Sequence, residues 1–226
     1  SKSHTIRALL IASLAEGTSR IANPLESADA VSCIDACRLF GARISETPCA
    51  AVRTLVVEGT GGRVRVPGIT VDVGNSGTTL YLAAGIAALA DGEITFTGDD
   101  QIRARPAANL LRSLEDLGAR VVCEGGNGRA PFTIRGPLRG GRTRIECPTS
   151  QYLSSLLITA PLAAGPTEID VPLLHERPYV EMTLRWLDEQ GIRFERRGLD
   201  HFRIPGGQKY TAFDKTVPGD FSSAAF

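Results

Sequence analysis

The chain has 226 residues, 42% of them apolar and 22% charged, and its 25 basic residues balance 25 acidic ones. A formal net charge of zero provides no general field to recruit a nucleic acid or an anionic membrane, so a ligand must be held by local groups. The length and apolar content suffice for one large domain or two small ones with buried cores.

The chain opens on Ser1-Lys2-Ser3-His4-Thr5, a short polar run entering an apolar helix expected over residues 5–16. Gly17 suits the left-handed backbone at that helix's end. A strand at 19–21, an amphipathic helix at 30–39 and extended segments at 42–44 and 52–58 follow. The next opening strand, 69–73, leads into Gly74-Asn75-Ser76-Gly77-Thr78-Thr79 and an apolar helix at 78–91. Gly92, a strand at 93–97 and a charged run, Asp99-Asp100-Gln101-Ile102-Arg103-Ala104-Arg105, precede a helix at 106–117. That helix carries Leu110, Leu111, Leu114 and Leu117 at helical spacing, with Pro106 suited to its first turn. Extended segments at 120–123 and 131–135 complete this stretch.

The pattern then recurs. A strand at 142–146 meets Pro148-Thr149-Ser150-Gln151 and an apolar helix at 151–164. A strand at 167–171, Glu176-Arg177-Pro178-Tyr179, a helix at 180–190 and extended segments at 193–197 and 201–204 follow. Gly17, Gly92 and Gly165 recur roughly every 75 residues, and Gly41, Gly118 and Gly191 keep the same interval. The chain therefore reads as three βαβαββ units, an α/β (α+β) fold with sheets arranged around buried helices. The first unit lacks its opening strand, and residues 210–212 are expected on a return path. The final run, 217–226, reads as a turn entering a new helix, so the chain is expected to be part of a longer protein.

Three polar helix starts in one chain suggest a site for a small phosphorylated or carboxylated metabolite. A helix N-terminus exposes unbonded N–H groups and the positive end of its dipole. Lys2 adds a compact positive charge, and Arg7 a planar fork suited to carboxylate or phosphate. Simpler roles fit the same residues: a solvated terminus at Lys2, a tight turn at Gly74–Thr79, an N-cap at Thr149. Arg103 and Arg105, two apart, point the same way if their segment is extended, and one of them is expected to pair with Asp99 or Asp100. Asp29 is expected either to cap its helix or to orient Arg7.

Cys33, Cys37, Cys49, Cys123 and Cys147 form no C-x-x-C pair and are expected to be free thiols of a reducing compartment. Cys33 and Cys37, four apart, should both face the core. His4, His175 and His201 lack metal-ligand spacing, so no metal is expected. Lys2, His4 and Arg7 interrupt any signal-peptide pattern, and the apolar runs fall short of the roughly 20 residues that cross a bilayer. No strong acid–base pair stands out, which suits a chain holding part of a site.

Taken together, Ser1-Lys2-Ser3 with Arg7, Gly74-Asn75-Ser76-Gly77-Thr78, Arg103 to Pro106, Ser150-Gln151, Arg177-Pro178-Tyr179 and Pro218-Gly219-Asp220 with Ser222 to Phe226 carry a resemblance. The chain resembles the amino-terminal half of the 5-enolpyruvylshikimate-3-phosphate synthases, the shikimate-pathway enolpyruvyl transferases of chorismate and aromatic amino-acid biosynthesis. The resemblance implies one lobe of an inside-out α/β barrel, residues 1–214, with 215–226 crossing, loosely ordered, toward a second lobe.

It also implies roles by position. Lys2 would contact phosphoenolpyruvate and shikimate 3-phosphate and take part in catalysis. Ser3 and Arg7 would hold the shikimate ring and carboxylate. Thr149 and Ser150 would bind the 3-phosphate, Gln151 a ring hydroxyl, and Tyr179 would flank that site. Arg105 would bind phosphoenolpyruvate, with Asn75, Gly77 and Thr78 lining its pocket. No cofactor, nucleic acid or membrane is implied; a monomeric, cytoplasmic enzyme is expected, with this piece inactive without its second lobe. Two positions depart from the family pattern: Tyr81 replaces a usual arginine, and Glu176 a phosphate-contacting serine. They leave open a paralogue for another cyclic alcohol; a non-catalytic ligand-binding α/β domain is the alternative of a different class.

Overall fold

The computed structural model describes residues 1–47 and 52–219. Cys49 and the expected helix start within 220–226 lie outside the described residues.

The first unit comprises α1 (Lys2–Leu14), β1 (Thr18–Ala22), α2 (Ala28–Leu39), β2 (Arg43–Glu46) and β3 (Thr54–Glu58). The second runs β4 (Val71–Asp72), α3 (Gly77–Ala87), β5 (Glu93–Thr97), α4 (Asp100–Ala104), α5 (Ala108–Asp116), β6 (Arg120–Cys123) and β7 (Phe132–Arg135). The third runs β8 (Gly141–Cys147), α6 (Ser150–Thr159), β9 (Thr167–Leu174), α7 (Arg177–Glu189), β10 (Glu195–Arg197) and β11 (His201–Ile204). A last strand, β12 (Asp214–Thr216), follows.

Each unit folds into a four-stranded sheet with the same connectivity. The orders are β12-β1-β3-β2, β4-β5-β7-β6 and β8-β9-β11-β10, each with one parallel pair and two antiparallel pairs. The missing opening strand of the first unit is thus supplied by β12, in register Arg20↔Asp214 and Ala22↔Thr216. Residues 215–217 are thereby held in place, where loose order was expected. Lys215 is a strand residue whose ammonium pairs with Glu189 at 2.6 Å, and Val217 N donates to Ala22 O at 2.8 Å. Residues 210–212 do lie on the return path, where Glu16 bridges Thr211 and the Tyr210 hydroxyl donates to Ile158 O at 2.7 Å.

The inner helices are α1, α3 and α6, each buried around nearly its whole circumference. Sequences apolar on every face require that position. Polar side chains inside are satisfied locally: Thr5 Oγ1 donates to Ser1 O and Ser13 Oγ to Leu10 O. The outer helices α2, α5 and α7 bury one stripe each, as in Val180, Thr183, Leu184 and Leu187 of α7. Cys33 and Cys37 face α1 as their spacing implies, with sulfur near Ile6 O and Leu9 O.

Three glycines at equivalent places explain how the sheets close onto the inner helices. A Cβ at Gly59, Gly136 or Gly206 would lie 2.2, 2.2 or 2.3 Å from the carbonyl oxygens of Ala15, Ala88 and Gly165, which follow α1, α3 and α6 in the chain, the first two directly and Gly165 after a short further turn. Only a residue without a side chain lets backbone approach backbone that closely.

Two local expectations differ. Residues 100–104 form a helical turn because Asp99 caps it, its Oδ1 accepting from Ile102 N at 2.9 Å. Arg103 and Arg105 therefore do not share an extended side. Pro106 precedes α5 by two residues and lies outside its first turn.

Candidate functional site

The starts of α1, α3 and α6 converge at one end of the molecule, stitched together by side chains. Gln151 Nε2 in α6 donates to Thr78 Oγ1 in α3 at 2.7 Å. Ser76, the N-cap of α3, donates through Oγ to Asp29 Oδ1 at 2.7 Å, and Asp29 Oδ2 pairs with Lys2 Nζ at 3.4 Å. Asp29 therefore positions Lys2 and the α3 entry; it neither caps α2, where Ser27 does so, nor touches Arg7. A cavity of about 180 Å³ lies between these starts, lined by Lys2, Ser3, Arg7, Thr78, Ser150, Gln151, Glu176 and Tyr179. A larger groove of about 920 Å³, beside His4, Arg185 and Arg196, contains none of the expected site residues.

Arg7 is the electrostatic centre of the small cavity. It is only 2% exposed, and its guanidinium donates to Thr183 Oγ1 at 2.8 Å and to Ser3 O, Ser154 Oγ and Tyr179 O at 3.1 Å each. All four acceptors are neutral. Among the described residues no carboxylate pairs with it, and burial pulls its pKa down to about 10. A guanidinium has five N–H donors, so one on Nη1 is left for a ligand. A buried cation held by dipoles alone is a place where an anion is favoured.

The start of α6 is already occupied. Glu176 directs Oε2 at it, accepting from Thr149 Oγ1 at 3.2 Å, Ser150 N at 3.1 Å and Ser150 Oγ at 3.0 Å. Thr149 also caps the helix through a long 3.5 Å contact from Gln151 N.

Arg105 lies beside the α3 start, outside the lining of the small cavity. A Cβ on Gly77 would lie 2.7 Å from Arg105 Nη1, so the bare glycine leaves room for that guanidinium against the α3 start. Arg103 is the structural partner of the pair, bound to Asp100 and to Gly98 O. Asn75 is tied to Asp99, donating through Nδ2 to Oδ2 at 2.6 Å. The loop bearing Arg105 is fixed by two tyrosines: Tyr81 and Tyr152 both donate their hydroxyls to Pro106 O, with rings edge-on at 5.0 Å. Burial raises the pKa of both phenols.

The family described as EPSP synthase (3-phosphoshikimate 1-carboxyvinyltransferase) matches residues 1–226. The chain belongs to the EPSP synthase family. A 3-phosphoshikimate 1-carboxyvinyltransferase of Acetivibrio thermocellus is 52% identical over all of this chain and 52% of its own length. Its counterparts in Ruminiclostridium cellulolyticum and Methanothrix thermoacetophila are 48% and 45% identical, again matched over about half their length. The solved EPSP synthase of Acinetobacter baumannii superposes with a TM-score of 0.86 at 28% identity, over 100% of this chain and 49% of that one. The chain thus spans about half the length of the relatives it matches, and its three-sheet architecture is that of one EPSP synthase lobe.

Several supports of this cavity are harder to read from the sequence. Ser154 in the inner helix α6 and Thr183 on the apolar stripe of α7 are buried polar residues, a signal that was available; both bond to Arg7 and to each other at 2.9 Å. Tyr152 gave no comparable sign. His175 is exposed before α7, and His201 in β11 pairs with Asp170 at 2.8 Å; neither lines the cavity.

Proposed function

We propose that this chain is the shikimate-3-phosphate-binding lobe of an enzyme that transfers the enolpyruvyl group of phosphoenolpyruvate to the 5-hydroxyl of shikimate 3-phosphate, releasing phosphate. The single observation that carries the reading is the buried, carboxylate-free Arg7 at the meeting point of three helix starts. In this reading Arg7 and Ser3 hold the ring and its carboxylate, Thr149 and Ser150 the 3-phosphate, and Gln151 a ring hydroxyl, with Tyr179 flanking it. Lys2 meets both substrates, and Arg105 with Asn75, Gly77 and Thr78 holds phosphoenolpyruvate.

The 5-hydroxyl oxygen adds to C2 of phosphoenolpyruvate and gives up its proton while a proton arrives at C3. The C2–O bond to phosphate then breaks and C3 loses a proton, restoring the double bond. Positive groups placed where charge gathers lower that barrier. The principal proton-transfer groups belong to the partner lobe, so this chain alone binds without turning over. The working enzyme is read as monomeric and cytoplasmic, with no nucleic-acid or membrane partner.

Calorimetric titration with shikimate 3-phosphate and with shikimate tests the binding reading, and a phosphate-release assay with and without the remaining lobe tests the division of labour. Binding of neither compound, or normal turnover by this chain alone, overturns it. One observation favours a second reading: the carboxylate of Glu176 at the α6 start suits a relative acting on a ring alcohol without phosphate. Preference for unphosphorylated shikimate would select that reading.

A further inference from the structure

We infer that Glu176 is a specificity-determining residue, an internal anion that holds the phosphate position until a phosphorylated ligand displaces it. The inference rests on the proposed function and deepens it.

The three donors on Glu176 Oε2, namely Thr149 Oγ1, Ser150 N and Ser150 Oγ, are the donors assigned above to the ligand's phosphate. They are neutral groups at a helix N-terminus, where the dipole favours one negative group. A carboxylate and a phosphate cannot share them, because like charges at hydrogen-bonding distance repel strongly away from bulk water. Neither charged neighbour claims the carboxylate: Lys2 pairs with Asp29, and Arg7 bonds to neutral acceptors.

The backbone shows how Glu176 comes to point there. Its φ of 56° and ψ of 40° place it in the left-handed region, which only Asn23 and Glu176 occupy among the described non-glycine residues. The main chain just before it is anchored by His175 N donating to Cys147 O at 3.0 Å. Glu176 itself is exposed. Its carboxylate can therefore rotate into solvent about side-chain torsions while the backbone stays in place. A phosphorylated ligand must drive that rotation, so its apparent affinity is reduced by the fraction of molecules in which Glu176 occupies the position. A ligand lacking phosphate leaves Glu176 seated and is not penalised.

The test is calorimetric titration of this chain and of its Glu176→Ser, Glu176→Gln and Glu176→Asp variants with shikimate 3-phosphate and with shikimate. Thermal melts check that each variant is folded. The expected result is that Ser and Gln tighten shikimate 3-phosphate binding by about tenfold while shikimate is unchanged, and that Asp, which keeps the charge, does not reproduce the gain. Detectable binding in the two neutral variants alone supports the inference equally. Equal or weaker binding of shikimate 3-phosphate by the folded neutral variants overturns the role of Glu176 and leaves the site reading standing. If neither the parent chain nor any variant binds shikimate 3-phosphate, the site reading fails and this inference falls with it.

Discussion

Gln151 Nε2 donates to Thr78 Oγ1 at 2.7 Å, so the first turn of one inner helix is fastened to the first turn of another. The bond sits in the cavity wall, and both residues line the same space. Gln151→Ala should cost about 1 kcal/mol of stability, the typical net worth of such a bond. It should also weaken shikimate 3-phosphate binding by more than that loss explains, because a ligand contact goes with it. Urea denaturation and calorimetry on the same variant measure the two effects. A binding loss no larger than that of Thr78→Val would show that Gln151 serves only the fold.

Arg7 invites the opposite expectation for stability. Four hydrogen bonds to neutral acceptors stabilise it, whereas burying a guanidinium with no carboxylate costs several kcal/mol. The two contributions oppose each other, so Arg7→Met should change stability by less than about 2 kcal/mol. Binding of an anionic ligand should fall by at least about tenfold in the same protein. Arg7→Lys should not restore it, since an ammonium cannot reproduce the fork. A large stability loss with intact binding would make Arg7 a structural strut.

Tyr81 and Tyr152 share one acceptor, Pro106 O. Either phenol alone keeps that carbonyl bonded, so Tyr81→Phe and Tyr152→Phe should each cost about 1 kcal/mol or less. The double variant should exceed their sum by about 1 kcal/mol, a coupling that a double-mutant cycle measures. In the assembled two-lobe enzyme the double variant should also raise the KM for phosphoenolpyruvate, because the loop carrying Arg105 loses both ties. Strict additivity would mean the two hydroxyls act independently.

His4 provides a pH dependence. Burial, then the charges of Arg7, Lys215 and the chain's amino terminus, hold its pKa below the usual histidine value, while Glu189 opposes them. A base whose folded pKa is depressed binds fewer protons when folded than when unfolded. Its contribution is therefore fully present above the unfolded value of 6.5 and is lost as pH falls through the folded value. Stability should decline on acidification below 6.5, and His4→Gln should flatten that decline. The His4 ring resonances followed by NMR should titrate below 6.5, and Glu189→Gln should lower the midpoint further. A midpoint above 6.5 would refute the ordering of these effects.

The repeats were legible because punctuation glycines and apolar helices carry local signals. Gly17 and Gly92 adopt positive φ in the structure, as expected of glycines closing the first helix of a unit, whereas Gly165, their counterpart in the third unit, does not. The partner of β1 was not legible. Asp214-Lys215-Thr216 shows no apolar alternation, and its pairing spans nearly the whole chain, so no window of sequence contains it. The short α4 escaped because only Ile102 of its residues is buried, leaving no periodicity to read. In the site, residue types at helix starts marked the groups that converge, but not their pairings. That Lys2 is held by Asp29, and that Glu176 turns back onto Ser150, depends on side-chain directions fixed by tertiary packing.

The parallel pairing of β12 with β1 sets an order on events during synthesis. Within this chain α1 and β1 are made ahead of the other elements, yet the edge of β1 that β12 covers stays open until residue 216 has been made. The second and third sheets draw all their strands from consecutive stretches and can be finished sooner. Of the three sheets, the one whose strands begin first along this chain is therefore the last to be sealed.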